Sequence, residues 1–286
     1  MKVFKFGGAS VKDTAGVKNV LKVLQKHHNP DKLIVISAMG KTTNALEVII
    51  QKYLSEQSAE AEIESLKLFH VDIMNGLFEN KQAAVFEKIN QFFTNLRNFL
   101  QHNKSKQYDF VYDQIIGFGE LISTTIVSEF LSRNGVRNTW IDARDFIKTD
   151  STYRDAKVDW EATQKNIITK LSPETITITQ GFIGSDTNNF TTSLGREGSD
   201  YTAGIFAYCL NAESVTIWKD VPGVLNADPR EFTETTLLNQ ISYEEAIELA
   251  FYGASVIHPK TLQPLQQKEI PLFVNSFFHP EDEGTK

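Results

Sequence analysis

The chain has 286 residues, enough for a full hydrophobic core, and its 41% hydrophobic and 23% charged composition is that of an ordinary globular protein. A net charge of −7 argues against a broad nucleic-acid surface, which needs many lysine and arginine contacts to phosphate, and no uninterrupted apolar run reaches the roughly 18 residues of a membrane span. The single cysteine, Cys209, has no second cysteine for an internal disulfide and reads as small core filler in the apolar run Ile205 to Leu210.

Met1 leads straight into Lys2, Val3, Phe4, Lys5 and Phe6 without the charged and apolar regions of a signal peptide, so the expected location is the cytoplasm. Val3 to Phe6 is the first of six short runs rich in β-branched residues. The others are Leu33 to Ile36, Thr139 to Ile141, Thr175 to Thr179, Val215 to Trp218 and Pro271 to Val274, and all read as buried strands. Between the first two, Val17, Val20, Leu21 and Leu24 recur at helical spacing, and Asn29-Pro30 is the stop. Strand, helix, strand is the βαβ unit of a parallel sheet. From about Thr42 to Asn103 the pattern is helical, with Phe86, Ile89, Phe92, Phe93, Leu96 and Leu100 forming an apolar stripe that predicts a core or dimer face. No repeat, low-complexity segment or long linker divides the chain, which predicts one continuous sheet.

Four loops carry the chemistry. Lys5-Phe6-Gly7-Gly8-Ala9-Ser10 puts two glycines where a strand turns into a helix, a place where backbone N–H groups, a helix N-terminus and Lys5 can meet a phosphate. Gly40-Lys41-Thr42 follows the second strand but is not a P-loop, because the position that requires glycine is Val35. Gly195-Arg196-Glu197-Gly198-Ser199-Asp200 precedes the helical run Tyr201 to Leu210. Ser199 or Asp200 can cap that helix, and Arg196 can grip a carboxylate bidentately. Lys219 to Val224 and Asn226 to Arg230 leave the end of the strand Val215 to Trp218, on the sheet edge where ligands bind in α/β folds.

Taken in order, KFGGAS, GFGELIST, GREGSDYTA, WKDVPGVLNADPR and YGASVIHPKTL resemble the aspartokinase branch of the amino acid kinase family over nearly the whole chain. The resemblance implies an α/β three-layer αβα sandwich around a mainly parallel sheet of about eight strands. It implies one catalytic domain over 1–286, with an amino-acid-binding lobe to about 180 and a nucleotide-binding lobe from about 181. The implied activity is ATP-dependent phosphorylation of the side-chain carboxylate of L-aspartate, the first step toward lysine, threonine and methionine, with Mg²⁺ on the ATP phosphates and no protein metal site. Carried over by position, Lys5 stabilises the transferring phosphoryl group and Asp200 holds Lys5. Thr43, Glu120, Arg196 and Ser199 bind aspartate, Glu120 on its ammonium and Arg196 on a carboxylate. Lys5, Gly7, Gly8, Ser10, Lys219, Asp220, Leu225, Arg230, Ser255 and Val256 contact ATP. Relatives are commonly dimers, so a homodimer is expected, without nucleic-acid or membrane partners. The paired regulatory domains of many relatives have no counterpart in the chain, which predicts insensitivity to lysine and threonine.

The chemistry agrees with that assignment, because a carboxylate with a pKa near 4 is already ionised at neutral pH and needs no general base. His258, before Pro259, therefore reads as structural. Three positions depart from the family pattern: Glu197 for a usual glycine, Leu225 for a usual tyrosine and Ser255 for a common lysine. The competing readings are a kinase of glutamate, N-acetylglutamate, carbamate or a nucleotide, and a non-catalytic nucleotide- or amino-acid-binding regulator of the same fold.

Overall fold

The computed structural model describes residues 1–27, 31–79, 84–171, 175–227, 232, 234–251 and 257–286. The chain opens with strand β1 (Lys2–Phe6), helix α1 (Thr14–Lys26) and strand β2 (Lys32–Ile36). Asp13 starts α1 by accepting the Gly16 N–H at 2.8 Å, and the helix buries Val17, Val20, Val23 and Leu24. Then come α2 (Thr42–Leu54), α3 (Glu60–Leu77), α4 (Ala84–His102), α5 (Tyr108–Ile116) and α6 (Phe118–Arg133). β3 (Asn138–Trp140), α7 (Ala143–Phe146), α8 (Trp160–Lys170), β4 (Ile176–Gln180), β5 (Ile183–Ser185) and β6 (Thr191–Ser193) lead to α9 (Gly198–Leu210). β7 (Ser214–Lys219), α10 (Tyr243–Phe251), α11 (Pro259–Gln267) and β8 (Leu272–Ser276) complete the fold.

The main sheet has the order β3-β4-β2-β1-β7-β8, and every pairing in it is parallel. Strand alternation sends Phe4, Phe6, Ile34 and Ile36 to one face, where α1 to α6 build an aromatic core. Val3, Leu33, Val35 and Ile217 face the other side, under α9 and α11, where Ala203, Ala207 and Cys209 keep the layers close. Cys209 is buried there, as expected of core filler. β2 is buried along its whole length, which is why its sequence KLIVI is a continuous apolar run after the lysine.

The six predicted strands appear within a residue or two of the positions read from the sequence, and one sheet spans both halves of the chain. The expected count of about eight strands in that sheet needs correcting: it has six, and the other two, β5 and β6, form a separate antiparallel hairpin, β5 also bridging Lys148 through Ser185. The chain leaves the sheet at Phe182, whose φ of 72° turns it away immediately after β4. The apolar stripe on α4 belongs to the aromatic core, where Ile89, Phe93 and Leu96 are fully buried. The run Tyr108–Arg133 is long and apolar enough to cross a membrane, but most of it is buried inside this fold. The Asn29-Pro30 stop lies outside the described residues.

Candidate active site

The carboxyl ends of β1, β2, β4 and β7 open on a cleft of about 680 Å³. Its floor is the glycine turn after β1. A Cβ on Gly8 would lie 2.7 Å from the Ala38 carbonyl oxygen, so only glycine lets this turn nest against the loop after β2. The two loops are joined there by the Gly40 N–H, which donates to the Gly8 carbonyl at 3.1 Å.

Lys5, near the end of β1, reaches across to the first turn of α9, where its Nζ lies 2.6 Å from Asp200 Oδ1. Lys219, the last residue of β7, approaches the other carboxylate oxygen at 3.4 Å. All three are brought together because β7 is the neighbour of β1 in the sheet and α9 packs over both. Burial by itself would push the Asp200 carboxyl up. The charges of Lys5 and Lys219 outweigh it and hold the carboxyl below its ordinary value. Two cations around one ionised carboxylate leave net positive charge facing the cleft, the sign a polyphosphate requires.

Glu120 enters the cleft from the first turn of α6, and only 4% of the residue is exposed. Its Oε1 accepts the Ala38 N–H at a long 3.4 Å, and its Oε2 has no hydrogen-bond partner among the described residues. Burial pushes this carboxyl up to about 8. A buried carboxyl with no cation beside it can be completed by a positively charged group entering the cleft.

Thr43, Arg196 and Ser199 line the same cleft. Of the predicted nucleotide contacts, Lys5, Gly8 and Lys219 are in its walls, and Gly7 sits against Lys5, a Cβ there lying 3.4 Å from Nζ. Ser10 turns inward instead: it is buried, and its hydroxyl faces the Trp218 carbonyl at 3.5 Å. Asp220 and Leu225 lie outside the cleft lining, Leu225 in a bridge with Leu237. Arg230, Ser255 and Val256 fall outside the described residues. Glu197 also lines the cleft, with its Oε2 engaged by the His258 N–H at 2.8 Å. His258 is indeed structural, capping α11 by accepting the Lys260 N–H. Tyr112, Arg154 and Phe182 also line the cleft and were not foreseen from sequence. A second cavity of about 530 Å³ between α10, α11 and β8 has a mostly apolar lining and, among the described residues, contains none of the predicted ones. Among the described residues no group of three or more His, Cys, Asp or Glu forms a metal cage, so a divalent cation here would depend on oxygens of a bound ligand.

The model of the amino acid kinase family matches residues 1–276. Lysine-sensitive aspartokinase 3 of Escherichia coli is 33% identical over 286 residues, covering 99% of this chain and 63% of the relative. The chloroplastic bifunctional aspartokinase/homoserine dehydrogenase 2 of Arabidopsis thaliana is 33% identical over 297 residues, covering 99% of this chain and 32% of the relative. The chain thus spans between about a third and just under two thirds of these relatives' lengths. Among solved structures, E. coli aspartokinase III in complex with aspartate and ADP superposes with a TM-score of 0.90 at 32% identity, over 100% of this chain and 64% of that one.

Proposed function

As the chain belongs to the amino acid kinase family, we propose that it transfers the γ-phosphoryl group of ATP to the side-chain carboxylate of L-aspartate, giving ADP and 4-phospho-L-aspartate. The observation that carries this reading is the pairing of two differently prepared carboxylates in one cleft: Asp200 held between lysines, and Glu120 buried with no cation. A lysine cluster suits a triphosphate. A lone buried carboxylate suits the ammonium of a free amino acid, which N-acetylated substrates and carbamate lack. The E. coli structure with aspartate and ADP supports the same pair of ligands.

The reacting carboxylate is ionised at neutral pH, so one of its oxygens attacks the γ-phosphorus directly while the bond to the β–γ bridging oxygen breaks. The protein's work is then alignment and charge neutralisation. Lys5 meets the charge that builds on the transferring group, Asp200 fixes its ammonium, and Lys219 and the glycine-turn N–H groups hold the phosphates. Glu120 takes the substrate ammonium, with Arg196, Ser199 and Thr43 on its carboxylates. When bound, Mg²⁺ on the phosphates adds positive charge to that neutralisation. The amino acid is assigned to residues up to about 180 together with the Arg196 loop, and the nucleotide to residues from about 181 together with Lys5 and the glycine turn after β1.

The same reading includes a cytoplasmic homodimer, for which the exposed apolar side chains of Val48, Leu68 and Phe69 on α2 and α3 offer surface. Only monomer by light scattering at micromolar concentration would refute the dimer. The activity is tested with Mg-ATP and L-aspartate, trapping acyl phosphate with hydroxylamine, and with L-glutamate and N-acetyl-L-glutamate in parallel. Hydroxamate from aspartate alone is expected. Absence of product from all three, with ATP still bound, would make the protein a non-catalytic binder.

A further inference from the structure

Arg154 lines the same cleft as Glu120 and Arg196 but belongs neither to the helix of the first nor to the loop of the second; it lies between α7 and α8. Its backbone is left-handed, with a φ of 70°, a conformation that costs a non-glycine residue about 1 kcal/mol or more and persists only where surrounding structure imposes it. The surroundings that impose it are specific. Asp113 is fully buried on α5 and accepts the Arg154 N–H at 3.0 Å, while the same carboxylate accepts the Ser193 N–H at 2.7 Å and the Ser193 hydroxyl. A buried carboxylate thus ties the Arg154 backbone to β6.

The neighbouring contacts bring this segment against the loop of Arg196. Gly195 has a φ of 78°, and a Cβ on it would lie 2.4 Å from Asp155 Oδ1 and 3.4 Å from the Arg154 carbonyl oxygen. Lys260 Nζ joins the two segments, 2.6 Å from Asp155 Oδ1 and 2.9 Å from the Leu194 carbonyl. Side-chain orientation is set as firmly. The Arg154 guanidinium lies over the rings of Tyr112 at 4.7 Å and Tyr108 at 5.2 Å. Aromatic stacking occupies the flat faces of a guanidinium and leaves its N–H edge for an anion. Among the described residues the guanidinium's ion-pair partner is Asp109, with Nη1 to Oδ1 at 3.7 Å and the acid itself 62% exposed, a distance and setting at which an ion pair contributes little and is readily exchanged.

We propose that Arg154 is a second carboxylate-binding residue of the substrate site, acting with Arg196 and gripping the carboxylate that is not phosphorylated. The inference rests on the aspartate reading. A dicarboxylic amino acid carries one more anionic group than the reaction consumes, and a pre-stacked arginine at the mouth of the cleft recognises it by a forked pair of hydrogen bonds. Because that carboxylate has the same charge before and during transfer, Arg154 contributes to binding of the ground state and the transition state alike.

The test is calorimetric titration of the full chain with L-aspartate, compared with hydroxamate turnover, for the unmodified protein, Arg154→Ala and Arg154→Lys. Arg154→Ala is expected to weaken aspartate binding about tenfold, with kcat at saturating aspartate and the affinity for Mg-ATP within about twofold of the unmodified protein. Arg154→Lys, which keeps the charge but loses the fork and the stacking, is expected to restore only part of the affinity. Aspartate affinity in Arg154→Ala within about twofold of the unmodified protein would overturn the inference while leaving the kinase reading intact. Failure of the unmodified chain to bind aspartate would overturn both.

Discussion

Asp200 and Glu120 are both buried carboxylates in the first turn of a helix, and both face the same cleft, yet their environments drive them in opposite directions. Asp200 has two lysines and is held below its ordinary value; Glu120 has one long backbone hydrogen bond and is pushed up to about 8. Burial is common to both, so the difference is the presence of a cation within the protein. On the proposed reading, the phosphoryl side of the cleft arrives with its charges already balanced and aligned, whereas the amino-acid side has an unbalanced group for the substrate to complete, which would make it a recognition element.

The completed side should fail most severely when dismantled. Lys5→Ala and Asp200→Ala are each expected to lower kcat roughly 10³-fold with much smaller changes in KM, the pattern of an interaction that matters mainly in the transition state. Because Asp200 acts by holding Lys5 at 2.6 Å, the double variant should be little worse than either single one. Losses that multiply in the double variant would mean that Asp200 acts independently of Lys5, for instance through Lys219.

The uncompleted side should fail in binding. Glu120→Gln is expected to weaken aspartate binding roughly 10²-fold while ATP binding is unaffected. With a carboxyl raised to about 8, the free protein holds Glu120 protonated at pH 7, and taking up an ammonium requires that proton to leave. Aspartate affinity should therefore rise about tenfold between pH 7 and pH 9, and Glu120→Gln should flatten the dependence. A pH-independent affinity in the unmodified protein would contradict the assignment of Glu120 to the substrate ammonium.

The sequence shows the phosphoryl side better than the recognition side, and the reason is physical. Strands buried on both faces announce themselves as continuous apolar runs, so the ends of β1, β2 and β7 could be located, and with them Lys5, the glycine turn and Lys219. The hairpin β5–β6 gave no such sign: IGS and TTS are three residues each, buried but mostly small or polar, without alternation. Arg154 was equally hidden, because a left-handed arginine depends on Asp113, 41 residues away, and no local spacing encodes that contact. Ser10 shows the converse. Its motif suggested a ligand contact, but the chain turns its hydroxyl toward the Trp218 carbonyl.

Carboxylate titration in the cleft also has a background in the helical layer. His70 is buried between α3 and α2, its Nδ1 2.8 Å from the Leu66 carbonyl and its Nε2 3.3 Å from the Thr42 hydroxyl, and burial pushes its pKa down to about 4. An unfolded chain takes up a proton at this residue near 6.5 while the folded one resists until about 4, so stability is lost as pH falls through that window. Glu120 has the opposite sign: its folded value lies above the ordinary 4.5, the folded state binds the extra proton, and stability is lost as pH rises from there toward 8. Between pH 7 and pH 5 the unmodified protein should lose about 2 kcal/mol more than His70→Gln by denaturant unfolding. Equal losses in the two proteins would mean that His70 already carries its proton in the folded state; Asp200, whose depressed carboxyl loses stability only as pH falls below its ordinary value near 3.8, would not contribute in this window.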